Sequence, residues 1–306
     1  MPIVSIRHRT SYRYRNPVAF GEHRMMLRPA EAFDQRLLAF ELDVSPAPTL
    51  LREIHDLTGA SVSVARFAAR SRGLTAESKA LVDHRPINPL DLEASGASFG
   101  PGLFTYDPDE AAALGDAIRI RHPDDGELEA WARSFVRRIG HTRLSTLLSD
   151  MTHAIRAGFT YELRREGPAH SPAATLGLRK GSCRDFALLQ VEAARRLGLA
   201  ALFVSGYAYS GSAKETVPGH GHTHAWTRVY VPGCGWVDFD PTNGLVGSAG
   251  LIRVSAAPDP RLVAPLHGAW RGMRADFVGM DVEVEISSVD DEVSQPQTAS
   301  RVAHVG

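Results

Sequence analysis

Three residues of this chain are of the types that acyl-transfer chemistry needs, and they lie far apart in the sequence. Cys183 stands in GSCRDFALL, His224 in HAW and Asp240 in GWVDFDPTNG. A thiolate can attack a carbonyl, an imidazole can hold and return a proton, and a carboxylate can orient the imidazole and stabilise its charged form. The chain has only one other cysteine, Cys234. That usage is no disulfide framework and fits a reducing compartment.

The question is what Cys183 does. It precedes an apolar run that includes Phe186, Ala187, Leu189, Ala193, Ala194 and Leu197, with Gly198 where a residue just past a helix end belongs. That pattern predicts a buried helix with Cys183 at its first turn. Unpaired N–H groups and the helix dipole stabilise a thiolate at that end, and the same N–H groups suit a developing oxyanion. Gly181 lets the backbone approach a substrate closely. The plainer alternative is a small core residue, the usual fate of a free cysteine.

The histidine and carboxylate fall on a predicted hairpin. HTHAWTRVYV and WVDFDP read as strands joined by PGCG. Val229, Val231, Val237 and Phe239 want one buried face, and the alternation of a strand then puts His224, Trp226, Asp238 and Asp240 together on the other. With Val231 opposite Gly235, Asp240 is diagonal to His224, roughly 7–8 Å away at the backbone. Asp238 faces Arg228 instead, so Asp240 is the first choice as orienter and Asp238 the second. Cys234, at the turn, is expected to be an exposed thiol and an internal control.

These side chains need elements to hold them. Val4, Ile6, His8, Thr10, Tyr12 and Tyr14 alternate with polar residues, as do Phe40, Leu42 and Val44, and Val62 and Val64. Short strands of this kind with Gly and Pro between them predict a small β-sandwich, assigned to residues 1–105. Glu93–Glu110 reads as a linker or seam. Helices are expected over Gly126–Ile139 and along the face Leu144, Leu147, Leu148, Met151 and Ile155, the second with Thr142 as its N-cap. LAALFVSGYAY reads as a strand, and a last strand alternates from Asp281 to Ile286. Residues 106–286 are read as a second domain with a closing C-terminal strand, and 287–306 as a disordered tail. The fold class is α+β.

The net charge of −1 provides no electrostatic footprint for nucleic acid or an anionic membrane. No secretory leader and no membrane-spanning run is visible, so a cytoplasmic location is expected.

At GSCRDFALL, VSGY (Val204–Tyr207), HAW and GWVDFDPTNG, together with IRHRTSYRYRNPV (Ile6–Val18), the sequence resembles the transglutaminase-like superfamily, in its bacterial branch with an added N-terminal β domain. The resemblance implies a papain-like core in which a buried helix packs on an antiparallel sheet. It implies Cys183 as nucleophile, His224 as base and Asp240 as orienter, acting on a peptide or protein amide through a thioester, with hydrolysis favoured over amine transfer. Tyr161, in AGFTYEL, is a candidate second oxyanion donor, against the plainer reading of a core tyrosine. No cofactor is expected, because neither a phosphate-cradling Gly-rich loop nor an acidic calcium loop is present.

Two readings of another class remain. His220, His222 and His224 alternate in HGHTH and could ligate a metal with Cys183 or an aspartate. The fold could also serve as a non-catalytic scaffold, although an intact Cys, His and Asp argues against lost chemistry.

Overall fold

A computed structural model describes residues 2–86, 92–93, 95–164, 167–209 and 223–288. The N-terminal alternation folds as strand β1 (Ile3–Met25). Val4, Ile6, His8 and Thr10 turn inward, while Arg9 and Arg13 face out. The strand runs past Tyr14, where the predicted alternation stops. Its register against the neighbouring strand shifts between Arg13 and Val18, around Pro17, which has no N–H to give to a ladder. Strands β2 (Gln35–Ser45), β3 (Leu50–His55), β4 (Ser61–Arg66) and β5 (Arg70–His84) follow, in the spatial order β2-β5-β1-β4-β3. The N-terminal β unit is thus one continuous antiparallel sheet that bears two apolar clusters, one around Val18 and Leu74 and the other around Val4 and Val82. Strand β5 escaped the sequence reading because its inward residues include Ala76, Ser78, Ala80 and His84, a row too small and polar to register as an apolar alternation.

Helices α1 (Pro108–Leu114), α2 (Glu127–Arg133), α3 (Leu144–Gly158), α4 (Pro172–Leu178) and α5 (Cys183–Arg196) surround a second sheet. Its main strands are β6 (Ala201–Ala208), β7 (Thr223–Val231), β8 (Gly235–Asp240) and β9 (Leu251–Ala257), in the order β8-β7-β6-β9. The apolar stripe of α3 is buried as its spacing predicts. Thr142 does not cap it. Arg143 holds the N-cap position, and the Thr142 hydroxyl instead accepts the Arg137 N–H at 2.8 Å. Helix α2 stops short of Ile139, with the Ser134 hydroxyl turned back to donate to the Trp131 carbonyl at 2.6 Å.

The segment expected to be a loose seam is strapped to the second unit. Ser98–Phe99 pairs with Thr142–Arg143. Buried Tyr106 donates its hydroxyl to the Tyr230 carbonyl at 2.7 Å and accepts the Ala200 N–H at 3.0 Å.

Strands β10 (Leu266–Arg271) and β11 (Phe277–Ser288) end the described chain. Both pair with β1, so the closing strand belongs to the N-terminal sheet and not to the second one. An open strand edge invites pairing, and charge suits this partner: Arg13 lies 2.8 Å from Asp281, and Arg7 lies 3.3 Å from Glu285. Of the expected tail, Ser287 and Ser288 lie in β11, and residues 289–306 fall outside the described residues. The two sheets are joined by buried hydrogen bonds. Tyr207 reaches His8 Nδ1 at 2.9 Å, and Tyr209 reaches His84 Nδ1 at 2.7 Å. No helix among the described residues is long and apolar enough to cross a membrane.

Candidate active site

Helix α5 begins at Cys183, with Ser182 at the N-cap. Asp185, in the first turn, is fully buried and ties the mouth of the helix together. Its Oδ2 accepts the Ser182 N–H at 2.7 Å and the Ser182 hydroxyl at 2.8 Å. Its Oδ1 accepts the His170 N–H at 2.6 Å and an Arg164 N–H at 2.5 Å. Burial works to raise the Asp185 pKa, but these donors and the Arg164 charge hold it below the usual carboxylate range. The role of Gly181 differs from the expected close approach to substrate: a Cβ there would sit 2.8 Å from the Asp185 Cβ. Arg184 donates to the carbonyls of Gly167 and Arg164 at 2.6 and 2.7 Å and so holds those two residues beside the helix mouth.

The hairpin of β7 and β8 has the expected register, with Val231 opposite Gly235 and Arg228 opposite Asp238. Val229, Val231, Val237 and Phe239 are buried in the main core together with α5. The Thr227 hydroxyl donates to the Ala187 carbonyl at 3.0 Å, which fastens β7 to α5 one turn above Cys183. The opposite face of the hairpin is buried too, with Trp226 and Asp240 fully inaccessible.

Asp240 meets His224. Nε2 of the ring lies 2.8 Å from Asp240 Oδ2. Asn243 Nδ2 donates to the same oxygen at 2.7 Å, and Oδ1 accepts the Thr242 N–H at 2.9 Å. The DPTNG turn therefore fixes the carboxylate from below. His224 Nδ1 is buried, and Cys183 lies close enough to raise the pKa of the ring through hydrogen bonding and charge. Burial disfavours the charged ring, but Asp240 and then Cys183 outweigh it and carry the His224 pKa up to about 10. Against its own burial, Asp240 is held below the carboxylate range by His224, Asn243 and Thr242.

Asp238, the second choice for orienter, does not reach the ring. It accepts the Trp226 indole N–H at 2.9 Å and lies 3.5 Å from Arg228 and 3.6 Å from Arg253. Arg253 also pairs with buried Asp34 at 3.1 Å. This buried ionic group lies behind the hairpin, and sequence reasoning missed Asp34 and Arg253 because 219 residues separate them.

A cavity of about 410 Å³ opens at this point, and Cys183, His224 and Tyr161 all border it. Tyr161 is placed by a two-residue parallel bridge, Thr160–Tyr161 against Lys180–Gly181, which sets it beside the helix mouth. Its ring edges against Phe186 at 6.5 Å. Burial, followed by the charges of Cys183 and Asp240, pushes its pKa up to about 12, so the phenol keeps its proton and can donate.

Cys234 is not the exposed thiol expected at the turn: it is half-buried and packs against the main core. His220 and His222 lie outside the described residues. Among the described residues no cluster of three or more His, Cys, Asp or Glu side chains could hold a metal ion.

Comparison with known proteins agrees with the fold. Residues 4–83 match the bacterial transglutaminase-like N-terminal region, and residues 130–241 match the transglutaminase-like superfamily. An uncharacterized protein of Mycobacterium tuberculosis is 31% identical over 295 residues, covering 92% of this chain and 91% of its own length. One of Mycobacterium leprae is 26% identical over 300 residues, covering 92% and 96%. A crystal structure of a candidate cysteine protease from Cytophaga hutchinsonii shares the fold, with a TM-score of 0.67 at 20% identity over 95% of this chain and 92% of that one. Two family segments in this order along the chain, and a relative aligned along nearly its whole length, place this chain in the transglutaminase-like superfamily, in the group that carries the bacterial N-terminal region.

Proposed function

We propose that this chain is a thiol-dependent amide hydrolase acting on peptide or protein amides. The observation that carries the reading is the state of His224: Nε2 is held by Asp240 at 2.8 Å, while Cys183, at the mouth of a buried helix, lies close enough to the ring to raise its pKa.

The Cys183 thiolate attacks the amide carbonyl carbon, and the carbonyl π electrons move onto oxygen. The N–H groups at the mouth of α5 and the Tyr161 hydroxyl stabilise that oxyanion. As the C–N bond breaks, the His224 imidazolium passes its Nδ1 proton to the leaving amine, and a thioester remains. Neutral His224 then takes a proton from water, the resulting hydroxide attacks the thioester, and the thiolate leaves with the carboxylic acid released. Asp240 stabilises the imidazolium at each stage. A second amine in place of water would make the same centre a cross-linker.

The test uses iodoacetamide and a library of acyl amides. Iodoacetamide is expected to modify Cys183 faster than Cys234 below pH 7, and His224→Ala to abolish the difference. Amide turnover is expected in the wild type and not in Cys183→Ala. Equal alkylation of the two thiols in the native protein would sink the reading. Amine incorporation in preference to acid release would move it to transfer.

A further inference from the structure

The cavity at Cys183 is not built by the second sheet alone. One wall comes from the N-terminal sheet, where His8, Thr10 and Tyr12 of β1 and Met280 and Val282 of β11 border the same space as Cys183. Thr10 lies directly opposite Val282, and Tyr12 opposite Met280, so the four form a two-by-two patch on one face of adjacent strands. The patch is held at a fixed distance from the helix mouth. Its neighbour His8 is bonded through Nδ1 to Tyr207 of the second sheet at 2.9 Å and through Nε2 to the Thr10 hydroxyl at 2.9 Å. Burial pushes the His8 pKa down to about 4, so the ring is neutral and adds no charge to the wall.

The remaining lining decides what fits. Phe203, Val263 and Leu266 border the same space, and among the described residues the lining contains no carboxylate. The three arginines at the border are already committed to the protein: Arg164 to Asp185, Arg184 to the Gly167 and Arg164 carbonyls, and Arg261 to Asp259. A charged substrate side chain seated on Met280 and Val282 would lose its water against apolar surface and find no ionic partner on the patch itself. An apolar side chain would bury its surface against Val282, Met280 and Phe203.

We infer that the N-terminal sheet is the specificity wall of the site, and that the patch of Thr10, Tyr12, Met280 and Val282 receives an uncharged, apolar side chain of the acyl group attacked by Cys183. This rests on the reading of Cys183 as a nucleophile. The N-terminal sheet thereby acquires a role in substrate choice, and its attachment to the second sheet through His8 and Tyr207 becomes part of the binding geometry.

The full chain is tested with acyloxymethyl ketones of acetyl-leucine, acetyl-phenylalanine, acetyl-aspartate and acetyl-lysine. Second-order rates of Cys183 alkylation are each divided by the iodoacetamide rate of the same protein. The leucine and phenylalanine probes are expected to react at least tenfold faster than the charged pair. Val282→Lys is expected to shift the leucine-to-aspartate ratio at least tenfold toward aspartate. Met280→Ala, which introduces no charge, is expected to lower the phenylalanine rate more than the leucine rate. A leucine-to-aspartate ratio near one in the wild type, or a ratio untouched by Val282→Lys, overturns the wall while leaving the activated thiol standing. Loss of the iodoacetamide preference for Cys183 over Cys234 in the wild type overturns the nucleophile and the wall together.

Discussion

At the scale of single residues, the proposed chemistry depends on one imidazole held between a carboxylate and a sulfur. Asp240 is the main group that keeps the His224 pKa near 10. Asp240→Asn should drop that pKa toward the ordinary value of about 6.5. Because the imidazolium gives the leaving amine its proton in the proposed reaction, the alkaline limb of the amide-turnover pH profile should move down by at least two pH units. An unmoved limb in that profile would deny Asp240 its part. Tyr161→Phe should leave iodoacetamide alkylation intact, since no oxyanion forms there, and lower amide turnover by on the order of 10². Equal loss in both assays would make Tyr161 a packing residue.

At the scale of elements, the mouth of α5 is fixed by Asp185 and the hairpin by its glycine neighbour on β6. Asp185→Ala strips the acceptors from Ser182, His170 and Arg164 at once. It should cost about 2–3 kcal/mol in urea unfolding and slow Cys183 alkylation. Gly206 pairs with His224 across β6 and β7. A Cβ there would run into the Ile252 carbonyl and lie 2.6 Å from the Trp226 ring. Gly206→Ala should therefore destabilise the protein by about 1–3 kcal/mol, with β7 moving with it. Wild-type stability in that variant would show that the sheet yields there.

At the scale of the whole molecule, the two sheets are joined by buried neutral histidines. His8 and His84 each have a pKa lowered to about 4, mainly by burial. A folded pKa below the unfolded value of about 6.5 means that the unfolded chain binds more protons between those limits. Stability is then complete above about pH 6.5 and falls as the pH drops toward 4. Below that, protonation of Asp185 and Asp240, both held low in the folded protein, adds to the loss. His224 works in the opposite sense: its raised pKa contributes stability that is full below about pH 6.5 and fades as the pH rises through 10. Thermal melts across pH 4–8 should show the acid decline, and Tyr207→Phe should lower the melting temperature at neutral pH by leaving His8 Nδ1 unpaired.

Much of this was written in local patterns. The cysteine at a helix mouth, the hairpin parity that joins His224 to Asp240 rather than Asp238, and the α+β class all follow from side-chain periods of two and 3.6, which operate within a few neighbouring residues. Where the pattern was weak or the partner distant, the sequence was silent. The small, polar inward row of β5 lacked an apolar signal, and the return of β11 to the edge of β1 joins residues nearly 280 positions apart, for which no local period exists. The burial of Cys234 against the core, the ionic group of Asp34, Arg253 and Asp238, and the wall that the N-terminal sheet presents to Cys183 were decided by tertiary packing. Each depends on which surfaces are brought face to face, and hydrophobic burial and charge pairing become specific only when the whole chain has closed.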